Sequence, residues 1–292
     1  MTSDLLDIER FAGRLADVAS DSIMPHFRAA LSVESKGSAG FDPVTIADRN
    51  AEGAMRRLIN QAYPDHGIVG EEHGSERPNA DFVWVLDPID GTRSFITGLP
   101  VWGTLIGLLH KGTPVFGMMA QAFTRERYWG DGQCAWYRGP GGEASPLRTR
   151  ACASLADAAL FTTTPALFKG AERAAYDGVE AAVRLARYGT DCYAYCMVAA
   201  GHADLVIEAG LKPYDIVALI PIITGAGGQV TTWDGGSAAS GGRILASGDR
   251  RVHEAVLELL AARRSTDEAT PIPAQRPRRQ PRTAHAPDRS PS

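Results

Sequence analysis

Hydrophobic and polar positions in the first sixty residues alternate with helical spacing. Between Asp4 and Arg28, apolar residues recur at intervals of three and four, which predicts a helix with one buried face. A second run with the same spacing occupies residues 47–62 and ends before Pro64. It is preceded by Thr45, with Asp48 three residues further on, which is the pattern of a capping box. The start of the chain is therefore predicted to supply two helices.

The pattern changes at residues 82–86, where a short run of β-branched and aromatic residues is typical of a buried strand. Residues 103–138 contain strand-like stretches interrupted by Lys111-Gly112, Thr124-Arg125 and Asp131-Gly132, which predicts antiparallel hairpins. Further along, strands are predicted at 158–162, 203–207, 229–231 and 244–246, and helices at 171–185, 191–200, 214–224 and 252–262. The pattern predicts an α+β protein in two halves, 1–150 and 151–264.

Composition narrows the class of protein. Of the 292 residues 44% are hydrophobic, yet no apolar run reaches the ~18 residues of a transmembrane helix, so we expect no contact with a membrane. Residues 1–4 lead directly into the helical pattern, and we expect no secretory signal. Four cysteines are too few for a disulfide framework, so we expect a cytoplasmic protein. The net charge of −4 argues against nucleic acid as a partner.

Residues 265–292 differ in composition from the rest of the chain. They contain five arginines, three acidic residues and six prolines, and Ile272 is their only large aliphatic residue. Such a segment buries too little apolar surface to offset its ordering entropy, so we expect a disordered tail. A basic tail that contacts a partner is the alternative interpretation.

Carboxylates concentrate around the predicted strand 82–86. Asp87 and Asp90 follow it in a turn-like segment, and Glu71 and Glu72 precede them by some fifteen residues. Carboxylates this close would raise each other's pKa, and a divalent cation removes that repulsion. With hard oxygen donors and no Cys or His pair nearby, the expected cation is Mg²⁺, or Mn²⁺ in its place, rather than Zn²⁺. The carbonyl of Ile89 is a further candidate ligand.

Gly91 and Thr92 come next in the chain. A glycine lets an anion approach main-chain N–H groups, and a hydroxyl adds a donor or holds a water molecule. Together with a cation, these groups predict a phosphate site. The alternative at this point is that residues 87–91 form only a turn with capping aspartates.

These residues form motifs of a known family. The sequence Asp87-Pro88-Ile89-Asp90-Gly91-Thr92, preceded by Gly70-Glu71-Glu72, resembles the signature of the inositol monophosphatase family of Mg²⁺-dependent phosphatases. A second motif begins at Tyr214-Asp215 and leads to Gly225-Ala226-Gly227-Gly228. The segment from Asp42 to Asp48 is similar to a third. The three motifs occur in the family's order within residues 36–228.

The resemblance implies a fold and a set of roles. The fold is a layered αβαβα sandwich of the inositol monophosphatase/fructose-bisphosphatase type, usually a homodimer. The implied metal ligands are Glu71, Asp87, Asp90, Asp215 and the carbonyl of Ile89. Glu71 and Thr92 would orient the attacking water with help from Asp48, and Gly91 and Thr92 would bind phosphate. Lys36 corresponds to a lysine near the family's site. For Asp48, helix capping alone stays an alternative, and Glu72 has a supporting role.

The implied mechanism is hydrolysis of a phosphate monoester by a metal-activated water. No covalent intermediate is needed, because Ser94 is not placed as a nucleophile with a base. The alternative from a different class of protein is a non-catalytic, metal-dependent scaffold. The presence of Glu71, Asp87, Asp90, Thr92 and Asp215 together argues against it.

Residues outside the metal motif indicate the substrate. Segments 93–104, 189–195 and 204–208, and Tyr214 within 212–215, resemble the histidinol-phosphate phosphatase branch of the family. Asp191 and Glu208 would suit the ammonium and imidazole groups of histidinol phosphate, so both are candidate substrate-binding residues. The alternative for Asp191 is that it caps a helix. The alternative for Glu208 is that it supports the metal ligands. The alternative substrates are inositol 1-monophosphate or a broad range of small phosphate monoesters.

Overall fold

Helices and sheets alternate in five layers. The computed structural model describes residues 3–29, 34–35 and 43–268 of the chain. Helices cover the outer face of each of two large sheets, and a third group of helices lies between the sheets. This arrangement confirms the predicted α+β class and the layered αβαβα sandwich.

The first outer layer contains α1 (Ser3–Ile23) and α2 (Ile46–Ala62), which pack on an eight-stranded sheet. The strands of this sheet are β3 (Gly67–Gly70), β4 (Gly74–Glu76), β5 (Phe82–Asp90), β6 (Gly103–His110), β7 (Thr113–Gln121), β8 (Glu126–Gly130), β9 (Ala135–Arg138) and β10 (Ala144–Pro146). They lie in the order β10-β9-β8-β7-β6-β5-β3-β4, and only β3 and β5 are parallel neighbours. A short pair, β1 (Glu34–Ser35) with β2 (Pro43–Val44), precedes α2, and α3 (Thr92–Ile96) follows β5.

The second sheet has five strands in the order β12-β11-β13-β15-β14. These are β11 (Ala159–Thr162), β12 (Leu185–Tyr188), β13 (Leu205–Leu211), β14 (Gln229–Thr232) and β15 (Gly242–Ser247). Its outer face is covered by α4 (Gly170–Glu180) and α8 (Arg250–Glu268). Between the sheets lie α5 (Asp191–Ala199), α6 (Pro213–Ile216) and α7 (Leu219–Gly225).

The central helices lie very close to the first sheet. A Cβ atom at Gly117 of β7 would come within 1.8 Å of the Ala218 carbonyl oxygen, between α6 and α7. Val217 packs against Val83 and Val85 of β5. This contact holds the start of α6, with Asp215, beside the carboxyl end of β5.

Most predicted elements are confirmed, with four differences. The predicted loop at Asp87–Asp90 is the end of β5, which continues beyond the apolar run. The helix predicted at 171–185 ends at Glu180, and β12 follows it. The helix predicted at 214–224 is divided into α6 and α7. The β3–β4 hairpin was not predicted, because its glycine-rich strands are short and carry little apolar alternation.

The last helix, α8, reaches Glu268 and so includes the first four residues of the predicted tail, 265–268, which the prediction wrongly placed in the disordered segment. The rest of the predicted tail, together with Lys36 and Asp42, lies outside the described residues. The division of the chain at residue 150 stays a prediction. Among the described residues, no helix combines the length and the apolar character that crossing a membrane would require.

Candidate active site

Three aspartates from distant parts of the chain meet at the carboxyl end of β5. Carboxylate oxygens of Asp87, Asp90 and Asp215 all lie within 4.8 Å of one another. Asp215 stands at the start of α6, where its Oδ2 accepts a hydrogen bond of 2.6 Å from the Lys212 N–H. The stacking of α6 on β5 therefore completes a cluster that neither segment forms alone.

An irregularity in β5 turns its two aspartates into the same cluster. In a regular strand, residues three apart point to opposite faces of the sheet. Here the pairing with β6 shifts register between Asp87 and Asp90. Two hydrogen bonds hold the shifted segment: the Ile89 N–H donates to Asp87 Oδ1 at 3.1 Å, and the Thr104 hydroxyl donates to the Pro88 carbonyl at 2.8 Å.

The cluster brings several acidic groups into close contact. Burial raises the pKa of Asp87, and the neighbouring Glu71, Asp90 and Asp215 raise it further. Burial likewise raises the pKa of Asp90, with added contributions from Asp191 and Asp215. Crowded, buried oxygen donors of this kind fit a divalent cation, which would remove the repulsion that holds both pKa values high.

Glu71 lies beside this cluster, in the turn between β3 and β4. Its N–H donates to the Leu86 carbonyl at 3.2 Å, which ties the turn to β5. The Glu71 carboxylate is close enough to raise the pKa of both Asp87 and Asp48. The structure therefore brings together Glu71, Asp48 and the aspartates of β5, as the sequence motifs predicted.

Asp48 does cap α2. Its Oδ2 accepts hydrogen bonds from the N–H of Thr45 at 2.9 Å and from the Thr45 hydroxyl at 2.6 Å. The Thr45 hydroxyl in turn accepts from the Ala47 N–H, so the predicted capping box is present. Burial is the main cause that raises the pKa of Asp48, and the nearby Glu71 adds to it. Asp48 thus caps the helix while facing the site.

Glu52 is a buried acid that the sequence interpretation missed. Its carboxylate accepts hydrogen bonds from the N–H groups of Glu72 at 2.7 Å and His73 at 3.1 Å, and from Arg56 Nε at 2.7 Å. It therefore fixes the turn that carries Glu71. The available signal was its position four residues after Asp48, on the same face of α2. Glu72 lies next to the site, where its main-chain N–H donates to the Glu52 carboxylate.

Gly91 and Thr92 follow the cluster and begin α3. Gly91 has a φ of +84°, a conformation that favours glycine. The Thr92 hydroxyl donates to the carbonyl of Ile89 at 3.0 Å. Both predicted phosphate-binding residues, and the main-chain carbonyl predicted as a ligand, therefore stand within one turn of chain next to the aspartates.

Asp191 reaches the same place from the other half of the chain. The Ser94 hydroxyl donates to its Oδ2 at 2.6 Å, and a Cβ atom at Gly91 would lie only 2.7 Å from that oxygen. The next residue, Cys192, donates its N–H to Asp90 Oδ2 at 2.7 Å. Thr190, not Asp191, occupies the N-cap of α5, and no side chain caps that helix, so the capping alternative for Asp191 is wrong.

Glu208 lies on β13 with 2% of its surface exposed. Its Oε1 accepts a hydrogen bond of 2.6 Å from the Thr163 N–H, whereas its Oε2 has no hydrogen-bond partner among the described residues. Burial raises the pKa of Glu208 to about 8. The buried hydroxyl of Tyr195, which the sequence interpretation did not single out, likewise has no partner in the described part of the chain. Both groups retain hydrogen-bonding capacity.

One cavity connects the two sets of residues. It is lined by Asp90, Thr163, Asp191, Cys192, Tyr195, Glu208, Leu211 and Asp215. Its volume is about 20 Å³, room for about one water molecule. Asp90 and Asp215 of the aspartate cluster line one side of it, and the candidate substrate-binding carboxylates line the other.

Comparisons with known proteins agree on the family to which this chain is similar. Residues 4–266 match the model of the inositol monophosphatase family. A bifunctional phosphatase IMPL2, chloroplastic, of Arabidopsis thaliana is 44% identical over 87% of this chain and 76% of its own length. A histidinol-phosphatase of Mycobacterium tuberculosis is 33% identical over 85% and 95% respectively. The solved structure of an inositol monophosphatase from Zymomonas mobilis superposes with a TM-score of 0.79 at 42% identity, covering 89% of this chain and all of that one.

Proposed function

Because the chain belongs to the inositol monophosphatase family of phosphatases, we propose that it hydrolyses a small phosphate monoester, specifically L-histidinol phosphate, to the alcohol and inorganic phosphate. The observation that carries the substrate is the pair of carboxylates, Asp191 and Glu208, that faces the aspartate cluster across the cavity. Inorganic phosphate and the free amino alcohol would be the products.

The residues of the cluster have the donor chemistry of a Mg²⁺ site, which Mn²⁺ also fits. Asp87, Asp90 and Asp215, together with Glu71 and the Ile89 carbonyl, would hold the metal. Bound there, Mg²⁺ would neutralise charge on the phosphate and lower the pKa of a coordinated water.

The chain's own groups perform the remaining work of hydrolysis. Glu71 accepts the proton of the attacking water, because its carboxylate faces both Asp48 and Asp87. The Thr92 hydroxyl orients that water, and Asp48 supports Glu71 from the cap of α2. The main-chain N–H groups at Gly91 and Thr92 bind phosphate oxygens, because the glycine lets an anion approach the backbone closely.

Asp191 and Glu208 select the alcohol part of the ester. Histidinol phosphate carries an ammonium group, which is positively charged, and an imidazole ring, which becomes charged on protonation, and both donate N–H groups. Glu208 Oε2 is buried and has no hydrogen-bond partner in the described chain, so it is available to such a donor. Asp191 receives one neutral hydrogen bond from Ser94 and retains acceptor capacity. A cationic group satisfies both carboxylates better than a neutral polyol would.

Inositol 1-monophosphate is the second candidate substrate. The Zymomonas mobilis relative is described as an inositol monophosphatase, and the Arabidopsis relative as a bifunctional phosphatase. A polyol hydroxyl could also donate to Glu208 Oε2. A cation beside Asp191 and Glu208 would favour their ionised forms, which burial disfavours, whereas a neutral polyol would not, and this is the reason to place the candidate second.

A panel of esters tests the proposal directly. We would measure Mg²⁺-dependent phosphate release from histidinol phosphate, inositol 1-monophosphate and glycerol 2-phosphate with the full chain. The expected kcat/KM for histidinol phosphate exceeds the other two by about tenfold or more. Equal or higher kcat/KM for inositol 1-monophosphate would assign the second candidate. Phosphate release that persists undiminished after chelation of all divalent cations would overturn the metal-dependent mechanism.

The homodimer and the cytoplasmic location implied by the sequence stay predictions. Light scattering coupled to gel filtration would decide the first. A monomer mass at enzyme concentrations used for the assay would contradict it.

A further inference from the structure

A second groove lies between α1 and the β8–β9 hairpin, with a volume of about 490 Å³. It is lined by Leu6, Glu9, Arg10, Gly13, Arg14, Asp17, Met118, Arg127, Trp129 and Arg138. None of these residues lines the catalytic cavity. We refer to this groove as the arginine groove, after Arg10, Arg14, Arg127 and Arg138.

Positive charge in the arginine groove exceeds negative charge. Only two acids line it with the four arginines. One of them, Asp17, already forms an ion pair with Arg127. Within the described part of the chain, Arg138 forms no ion pair, and its guanidinium lies 5.1 Å from the centre of the Trp129 ring. The groove therefore contains a guanidinium that is held in place and not neutralised.

The sheet places two of these arginines directly opposite each other. Arg127 of β8 and Arg138 of β9 are register partners, so their side chains leave the same face of the sheet at adjacent positions. Like charges in such a cross-strand pair destabilise a sheet. The Asp17 carboxylate offsets one of the two charges. An anion beside Arg138 would offset the other.

Buried N–H donors at this face also lack partners. Trp129 is 3% exposed, and its Nε1 has no hydrogen-bond partner in the described chain. The same holds for Nε of Arg138 and for Nε1 of Trp136, the register partner of Trp129. Buried donors are almost always satisfied in folded proteins. Each of these atoms has less than 1 Å² exposed, however, so none of them is within reach of a ligand in the arginine groove.

We propose that the arginine groove is a binding site for an oxyanion, the phosphate or carboxylate group of a small metabolite. The excess of positive charge and the opposed arginines both favour a group that carries negative charge and accepts hydrogen bonds. The planar guanidinium of Arg138 matches two oxygens of a phosphate or carboxylate at once. The groove volume suits a small molecule rather than a macromolecular surface. This site is independent of the proposed catalytic function.

Titration of the metal-free protein tests the proposal. Inorganic phosphate and citrate would be added separately to the full chain in a chelator, with binding followed by calorimetry and by tryptophan fluorescence, to which Trp129 contributes. Without a cation, the catalytic aspartates repel these anions, so binding there is suppressed. We expect saturable binding at millimolar concentration or below. The stronger of the two anions identifies whether the natural ligand carries phosphate or carboxylate.

Substitutions inside and outside the arginine groove test whether the anion binds there or elsewhere on the surface. Arg138→Gln should weaken binding by about tenfold or more, because it removes a charge-assisted bidentate contact. Arg250→Gln is the matched control, since Arg250 is an exposed arginine that pairs with Glu254 on α8, and it should bind as the wild type does. Arg14→Gln, on the exposed side of α1, provides a second test if Arg138→Gln does not fold. Undetectable binding to the wild type, or binding by Arg138→Gln and Arg14→Gln that equals that of the wild type, would overturn the proposal.

Discussion

Two groups of buried carboxylates share the catalytic cavity but are accommodated in different ways. Asp87, Asp90 and Asp215 crowd their oxygens within 4.8 Å of one another. Asp191 and Glu208 each receive a short hydrogen bond from a neutral donor, Ser94 Oγ or the Thr163 N–H, at 2.6 Å. The first group is stabilised by gaining a cation. The second is already partly satisfied by the protein.

The difference indicates separate roles. A cluster of like charges that the fold brings together costs stability unless a proton or a cation offsets the charge. Carboxylates with neutral partners persist without an ion and keep one oxygen for a ligand, as Glu208 does. The contrast predicts that changes in the first group act on all substrates, whereas changes in the second act on the substrate that carries a matching charge.

The largest expected effect comes from Asp87→Asn. Loss of one ligand charge from the cluster should reduce turnover of every ester by at least about a hundredfold, with the fold retained. The measurement is kcat/KM for histidinol phosphate and glycerol 2-phosphate at saturating Mg²⁺. Asp81→Asn is the control, because Asp81 is an exposed acid paired with Lys111 at 3.7 Å. Retention of more than a few per cent of activity in Asp87→Asn would exclude Asp87 as a ligand.

Asp191→Asn should produce a smaller and selective effect. The substitution keeps the shape of the side chain and its contact with Ser94 but removes the charge. We expect kcat/KM to fall ~10- to 100-fold for histidinol phosphate and to change little for glycerol 2-phosphate. Glu208→Gln should show the same selectivity. An equal loss on both esters would place Asp191 with the metal-binding group and remove the contrast.

Gly91→Ala should disturb the contact between the two groups. A Cβ atom there would lie 2.7 Å from Asp191 Oδ2, at a residue with φ of +84°. Gly112→Ala is the matched control, because Gly112 has φ of +80° and nothing within 4 Å of the added atom. Backbone strain of ~1–3 kcal/mol is common to both, so urea unfolding should show a greater loss for Gly91→Ala. Equal losses would mean that the Asp191 contact is easily displaced.

The smallest expected effect is a pH dependence of stabilisation by Mg²⁺. Burial and neighbouring carboxylates raise the pKa of Asp87 and Asp90 above the ordinary value of 3.8 in the folded protein. The folded state then binds more protons than the unfolded state, so the metal-free protein loses stability as pH rises through that window. Mg²⁺ replaces those protons, so the increase in Tm that it causes should grow as the pH rises above the ordinary carboxyl range. A Tm increase independent of pH would contradict this.

The metal end of the site was accessible from the sequence because its residues are contiguous. The aspartates of β5 and the following glycine stand in one short motif. The irregularity that turns Asp87 and Asp90 to the same side was not accessible, since the pattern alone suggested that the strand had ended. For this reason residues 87–90 were predicted as a loop, whereas they form the end of β5.

Long-range contacts account for most of what the sequence did not show. Glu52 acts on a turn 20 residues away, and nothing local marks that pairing. The side chain of Asp191 looked equally suited to capping α5, and only its contact with Ser94, 97 residues away, decides between the two. The β12 strand was not predicted, and the predicted helix 171–185 extended to its first residue, because the exposed residues of β12 lack the apolar alternation of a buried strand.

The hydrogen bond from Cys192 to Asp90 spans 102 positions of the chain. Together with the meeting of Asp215 and β5, it means that a polypeptide emerging from the ribosome has no complete ion-binding centre until α6 has been synthesised. With the proposed ligands, the complete set is thus available only once the central helices have docked on β5. Occupancy by the ion would accordingly report that α6 has docked, and a chain truncated before α6 would lack one of the proposed ligands.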